Sequence, residues 1–344
     1  MIEQFLATLK DLWTTRSIQA IKFFKHHKKL LKSLLKKKKL KTLILSATKE
    51  WKISSIIFFV VVFLYYGLGA YVSSNLNNNL DYKIKTTNQR NTTLSLIYSL
   101  KSQIDDAPWT PSLPLIFPAS ILDNLPNFQL GVKDGIKHYV KQLSALYLDS
   151  SLKEAGILLD YSPDIWLFSQ DKDDKLSPGS AKQYRKALGR ITDFSNVENI
   201  LYPLTTENLS YQLNSINKLL DKQIINISKH STEHCTDIFD NQADDIFFYT
   251  QGILYSTYYY LTGLSKDYQD LIVATNAYND LTSALKQLKN AINLSPIIIK
   301  NSSPESVYSA NHLLYLSNYI AKTQNKLYQI SKIIEQNKTK DIPQ

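Results

Sequence analysis

Hydrophobic and polar positions fall into three patterns along this chain, and each predicts a different element. The first is an unbroken run. Residues Ile53–Val72 read ISSIIFFVVVFLYYGLGAYV, 20 residues without a charge. As a helix at 1.5 Å per residue they span roughly 30 Å, about the hydrocarbon thickness of a bilayer. Trp51-Lys52 and the polar Ser73-Ser74-Asn75 bound the run. It therefore predicts a spanning helix rather than a buried helix of a soluble domain.

The second pattern precedes it. Phe5, Leu6, Leu9, Leu12 and Trp13 fall on one helical face, and Ile18, Ile21, Phe24, Leu31, Leu34 and Leu35 supply apolar positions in a second segment. Lys22, Lys25, Lys28, Lys29 and Lys32 lie between them, and Lys36, Lys37, Lys38 and Lys39 follow. A basic amphipathic helix with aromatics on its apolar side suits an anionic membrane surface. Each lysine near such a surface is worth about 1 kcal/mol. Lys28, Lys29 and Lys36 to Lys39 are the expected contacts to the inner leaflet. Phosphate contacts to nucleic acid would use the same charges, but a tether beside a bilayer favours lipid, and enforcing topology is the simplest role.

The third pattern is a 3.6-residue stripe repeated over the rest of the chain. Leu94, Ile97, Leu100 and Ile104 open it. Helices follow at about Val132–Tyr147 and Ser151–Leu159, and one from Ser180, where Gln183 completes a capping box. Thr205 or Thr206 opens a long helix carrying Leu209, Leu213, Ile216, Leu220 and Ile224. Asp244 or Asp245 caps a helix to about Leu264 that holds Tyr258-Tyr259-Tyr260. Residues 276–293 form another. Ser303-Pro304-Glu305 sets a cap, a first-turn proline and a favourable acid for a last helix to about Gln336. Pro108, Pro111, Pro114, Pro118 and Pro126 keep residues 107–127 out of a long helix. That segment is apolar as well, so it is expected to pack rather than to behave as a linker. Residues 160–178 read as a loop with Trp166, Leu167 and Phe168 as buried anchors and an exposed acidic stretch Asp171–Asp174. No Asn-Gly pair occurs, and Asp134-Gly135 falls within the helix expected at about Val132–Tyr147, so no hairpin signal of that kind is read.

The fold class expected is all-α: one N-terminal transmembrane helix, then an exported bundle of long helices with one Pro-rich irregular segment. The divisions are a basic cytoplasmic arm (1–52), a signal-anchor helix (53–72), a juxtamembrane spacer (73–93), a helical domain (94–336) and a tail (337–344).

Charge sharpens this picture. The chain of 344 residues has a net charge of +10. Residues 1–52 hold 14 Lys and Arg against Glu3, Asp11 and Glu50, and the remainder is close to neutral with 26 basic and 27 acidic residues. Lys and Arg beside a spanning helix stay cytoplasmic, so residues 73–344 are expected outside the cytoplasm. A cleaved signal has a shorter apolar core nearer the N-terminus, which favours a permanent anchor. Cys235 is the single cysteine, so no intramolecular disulfide supports the domain.

Candidate chemistry is sparse. His230 and His234 share a helix face, and with Cys235 they would be the ligands of a metal site. The residue after His230 is Ser231 rather than the Glu of an HExxH motif, and the segment lies in a polar break where solvent-facing residues are common. The solvated reading is preferred, and no metal or other cofactor is expected. No GxSxG elbow, Walker loop or dinucleotide fingerprint is found. Gly131 and Gly135 lack a preceding strand. Asp105-Asp106, Asp173-Asp174 and Asp244-Asp245 read as caps or exposed charges, since neighbours on a helix diverge. Tyr255, Tyr258, Tyr259 and Tyr260 read as core rather than as a stacking platform.

From Leu122-Asp-Asn-Leu-Pro-Asn-Phe-Gln-Leu-Gly-Val132 onward the chain resembles the bacterial membrane proteins of family DUF2333. Tyr184-Arg185, Glu207-Asn208-Leu209, Asp244-Asp245-Ile-Phe-Phe, Ser295-Pro296 and Ala310-Asn311-His312-Leu313 agree in order, over about residues 90–335. The Lys-rich arm and the acidic insertion near Asp171 depart from it. The resemblance implies a cytoplasmic arm, one spanning helix and an exported domain in a bacterial inner membrane. It implies no activity and carries over no catalytic residue. Among the residues that carry it, Asp123, Asn124, Pro126, Asn311 and His312 are candidates for an interaction surface.

Three functions are compatible with these features. The first is a structural or interaction protein that presents a periplasmic helical domain to an envelope partner or to a second copy of itself. The second is a module binding a lipid or another apolar ligand between helices. The third, without any catalytic motif, is a hydrolase of envelope polymers. A solid interior would favour the first and a continuous apolar cavity the second.

Overall fold

The computed structural model describes residues 39–73, 76–81, 88–170, 176–234, 240–296, 298–303, 306 and 310–340. Among them are ten α-helices and one short hairpin, so the fold is all-α but for that hairpin. The chain divides into two compact units, one ending at Tyr66 and one beginning at Gly67. Lys28, Lys29, Lys36, Lys37 and Lys38 lie outside the described residues, as does the side chain of Lys39.

Helix α1 spans Lys39–Ser73. Within it Trp51–Tyr71 is long and apolar enough to cross a membrane, and none of its residues is buried. Phe58, Phe59 and Phe63 are more than 60% exposed, a state that water alone would disfavour strongly. The helix starts 14 residues before the apolar run because Lys39–Lys52 contains neither Gly nor Pro to stop it.

In the second unit one helix is central. Helix α7 (Asn241–Asp267) packs against α2 (Asn91–Ile104), α3 (Asn124–Tyr147) and α9 (Tyr278–Ile292). Helix α10 (His312–Lys340) joins α9 to α6 (Thr206–Glu233), while α4 (Ser150–Leu159) and α5 (Ser180–Leu201) pair beside α3 and α2. A short α8 (Gln269–Ala274) follows α7.

The α3–α7 crossing depends on glycine. A Cβ at Gly131 would collide with the Tyr249 carbonyl, one at Gly252 with the Phe128 carbonyl, and one at Gly135 with Ser256 Oγ. At Gly131 and Gly252 the facing backbone therefore approaches too closely for any side chain. Around the crossing, rings fill the interior. Tyr139 stacks on Tyr260 with centroids 4.0 Å apart, and Phe128 meets Tyr255 edge-on at 5.5 Å. The hydroxyls are served: Tyr139 and Thr257 share a hydrogen bond of 2.7 Å, Tyr260 donates to Gln212 Oε1 and Tyr259 to the Asn79 carbonyl. The tyrosine run is core.

The Pro-rich segment is packed. It makes two 3-10 turns, Thr110–Ser112 and Pro118–Ile121. Gln129 holds the first, accepting from Thr110 N and Oγ1 and donating to the Pro108 carbonyl. Pro126, expected to exclude helix, is the third residue of α3, where a missing amide hydrogen costs nothing.

Several local expectations are corrected. Trp166, Leu167 and Phe168 are not buried anchors, being 42, 58 and 65% exposed. Trp109 fills that role instead, buried against Tyr184 with Nε1 donating to the Pro163 carbonyl. Residues 160–178 also contain a hairpin, β1 (Phe168–Gln170) antiparallel to β2 (Leu176–Pro178) with Phe168 opposite Pro178. Asp171–Asp174 lie outside the described residues. Helix α5 is capped by Gly179, because Ser180 Oγ is engaged by Ile165 N and the Ser162 carbonyl. Asp240 rather than Asp244 or Asp245 caps α7. Helix α10 starts at His312, not at Ser303, because Asn311 Oδ1 accepts from Leu314 N. Thr205 caps α6 as expected. The stretch read as spacer is partly folded in, since Leu76 and Leu80 pack on the core and Asn77 donates to the Ser102 carbonyl.

Candidate functional site

The last turn of α6 and the first of α7 meet at one carboxylate. Asp240 Oδ1 accepts from Ala243 N at 3.0 Å, which caps α7. Its Oδ2 accepts from His230 Nε2 at 2.7 Å and from Asn301 Nδ2 at 3.1 Å. These donors hold the Asp240 carboxyl below the usual range even though desolvation works the other way. Asn311 Nδ2 then donates to Asn301 Oδ1 and to the Ser302 carbonyl. His312 Nδ1 accepts from Lys300 N at 2.9 Å. One carboxylate thus fastens α6, α7 and the strand-like approach to α10. Beside Asn311 an opening of about 330 Å³ is lined by Ser303, Ser306, Ala310, Leu314, Tyr315 and Asn318.

This geometry redistributes the sequence candidates. His230 lies within α6 and is 6% exposed, not a solvated filler in a break. The His234 ring lies beside it, tilted by 35° with centroids 5.1 Å apart, and Cys235 lies outside the described residues. His230 Nε2 faces Asp240, and among the described residues no group of three or more His, Cys, Asp or Glu is placed to hold a metal. Asn311 is 7% exposed and bonded internally, touching solvent only where it lines that opening, and His312 is half-buried.

The other candidates sit at the start of α3. Asp123 is exposed there, with Asn124 and Pro126 half-buried. Asn124, its amide nitrogen turned to the carboxylates, donates to Asp244 Oδ2 at 2.7 Å and Asp123 Oδ1 at 3.0 Å. Asn127 donates to Asp245 Oδ1 at 2.6 Å. Desolvation, then repulsion from Asp123 and Asp245, pushes the Asp244 carboxyl up to about 6. The structure brings Asp123 and Asn124 to Asp244-Asp245, and leaves Asn311 and His312 in the Asp240 cluster.

A second buried network escaped the sequence reading. Arg90 donates from Nε to Asn199 Oδ1 at 3.0 Å, from one terminal nitrogen to Tyr147 Oη at 3.4 Å, and from the other to the Tyr202 carbonyl. Its guanidinium lies 3.6 Å from Glu198 Oε1, and Thr93 Oγ1 donates to Oε2 at 2.5 Å. Arg90 and Glu198 are both at least 95% buried. Burial pushes the Glu198 carboxyl up to about 7 against the opposing pull of Thr93 and Arg90. One signal was available: Tyr184, Ala187, Ile191, Phe194 and Glu198 follow the inward stripe of α5. Arg90 carried none. Nearby, Asp267 caps α2 by accepting from Asn91 N and Thr92 N at 2.8 Å each. It also lines an opening of about 400 Å³ with Thr205, Glu207, Tyr268 and Asp270.

Both networks act as fasteners between helix ends. Their carboxylates accept from backbone amides at helix starts and from side chains of neighbouring elements. No curated protein and no solved structure matches this chain. Residues 197–337, which run from Glu198 through the Asp240 cluster into α10, match the family described as an uncharacterized protein conserved in bacteria (DUF2333), and over that span the chain resembles it.

Proposed function

We propose that this chain is a single-pass inner-membrane protein whose helical domain stands on the periplasmic side as a structural or interaction component of the cell envelope. The observation that carries the reading is Trp51–Tyr71, a long apolar helix none of whose residues is buried. The charge excess of residues 1–52 supports the orientation. Its Lys-rich arm would lie on the anionic inner leaflet, and the bundle would meet an envelope protein or a second copy of itself.

The interior supports interaction over ligand storage. Space between α3 and α7 is taken up by Tyr139, Tyr255, Tyr260 and Phe128, and the openings near Asn311 and Asp267 present hydroxyls, amides and carboxylates. An apolar-ligand module would need a continuous apolar cavity. A hydrolase would need carboxylates free to converge on a substrate, whereas Glu198, Asp240 and Asp267 each accept from internal donors.

Alkaline phosphatase fused after Gln344 tests the topology. Enzymatic activity of the fusion is the expected result, and an inactive fusion of normal abundance overturns the orientation. Crosslinking in intact cells followed by purification of the full chain tests for a partner. Recovery of the chain alone, with no adduct to itself or to another protein, would sink the interaction reading.

A further inference from the structure

Within the second unit, the end of the apolar span meets the Pro-rich segment. A side chain at Gly69 would collide with Pro118, so the proline ring packs directly on the helix backbone two residues before the span ends at Tyr71. Pro118 opens the 3-10 turn that ends at Ile121, which is 53% exposed. Phe117, just before that turn, meets the Trp166 ring edge-on at 5.6 Å. Trp166 leads into Leu167 and Phe168, the exposed residues at the base of the hairpin. Contact by contact, an apolar surface therefore continues from the end of the span through Pro118 and Phe117 to Trp166, Leu167 and Phe168.

We infer that Ile121, Trp166, Leu167 and Phe168 dock into the interfacial zone of the bilayer that α1 crosses, on the leaflet at the C-terminal end of the span. The inference rests on the anchoring reading above. Large apolar side chains exposed together mark a surface that meets something other than water. Proximity to the span's last turn identifies lipid as what it meets, since Gly69 lies where hydrocarbon gives way to headgroups. The residue types agree: a tryptophan with aliphatic and phenyl neighbours is the composition of a membrane-water interface. Gly179 N donates to the Leu167 carbonyl and Ser180 N to the Ile165 carbonyl, which ties the backbone of this segment to the start of α5. The domain would then be held against the bilayer at a second point besides the span itself.

The test uses the full chain with Cys235→Ser, carrying one new cysteine labelled with an environment-sensitive fluorophore. The positions are Leu167, Phe168, Ile121, Leu68 within the span, and Ile225 on the exposed face of α6, which is 66% exposed. The chain is reconstituted in phosphatidylethanolamine–phosphatidylglycerol vesicles with and without lipid spin-labelled near the headgroup. Loss of fluorescence at 121, 167 and 168, with Leu68 quenched and Ile225 unquenched, is expected. Quenching at Leu68 alone overturns the docking surface and leaves the anchor intact. Absence of quenching at Leu68 overturns the anchor and the docking with it. Quenching at Ile225 equal to that at Leu167 shows general adsorption and also overturns the proposal.

Discussion

Glu198 stands one turn beyond Phe194 on the stripe that α5 turns inward, where a carboxylate is stable only if paired or protonated. Its carboxyl is raised from 4.5 to about 7, first by desolvation. Between those values the folded chain keeps a proton that the unfolded chain has lost. Stability therefore falls as pH rises through that window and levels off above it. The full difference corresponds to about 3 kcal/mol at 1.36 kcal/mol per unit. Glu198→Gln should flatten this slope, read as a smaller drop in Tm between pH 5 and 8 for the detergent-solubilised full chain. A variant with the parent's slope would contradict the assignment. The comparison must be with the parent, because Asp244 adds a slope of the same sign. His138 and His312 are lowered by burial and oppose it, favouring the fold as pH rises toward 6.5.

Asp240 has the opposite sign. Its carboxyl is lowered, so its contribution is present above the unfolded value of 3.8 and is lost as pH falls through the folded one. Asp240→Ala removes a helix cap, leaves buried His230 without its acceptor and leaves Asn301 Nδ2 with the His234 carbonyl alone. An orphaned buried group costs about 1–3 kcal/mol, and a cap about 1 kcal/mol. A loss of at least about 2 kcal/mol in urea unfolding is expected, with Asp240→Asn falling between, since it keeps an oxygen for the cap.

At the scale of elements, the α3–α7 crossing separates packing from helix propensity. Gly131→Ala and Gly252→Ala place a methyl against facing backbone carbonyls, which cannot swing aside as a flexible side chain would. Overpacking of this kind costs about 1–3 kcal/mol. Gly189 in α5 has nothing within 4 Å of its Cβ position, so Gly189→Ala should gain up to about 1 kcal/mol from propensity. Circular dichroism melts of the three variants check the contrast: equal effects at all three sites would mean that the crossing is looser than the geometry here.

For the whole molecule, the orientation proposed above rests on the lysines of residues 1–52. Replacing Lys36 to Lys39, Lys41, Lys49 and Lys52 with Gln removes seven of the 14 basic residues of the arm. The positive-inside bias should weaken, and activity of an alkaline phosphatase fusion after Gln344 should fall relative to its abundance. Unchanged activity would mean that the folded domain, not the arm, sets the direction.

What the sequence determined by itself is local or one-dimensional. The apolar run is visible because bilayer thickness converts directly into residue count. The helices are visible because burial against any neighbour imposes the same 3.6-residue stripe, and Thr205 was legible because a cap acts over three residues. Tertiary structure decided wherever two local candidates competed for one place. Asp240, Asp244 and Asp245 all qualify as caps, and Asp240 holds the position because His230 and Asn301 arrive from other elements to satisfy its second oxygen. Trp109 and Trp166 both qualify as anchors, and only the fold determines which meets Tyr184 and which faces outward beside Pro118. Arg90 and Glu198 are 108 positions apart, and nothing in the spacing of either pairs them. Such contacts depend on which stripe meets which, a choice made by the summed fit of many side chains that no short window contains.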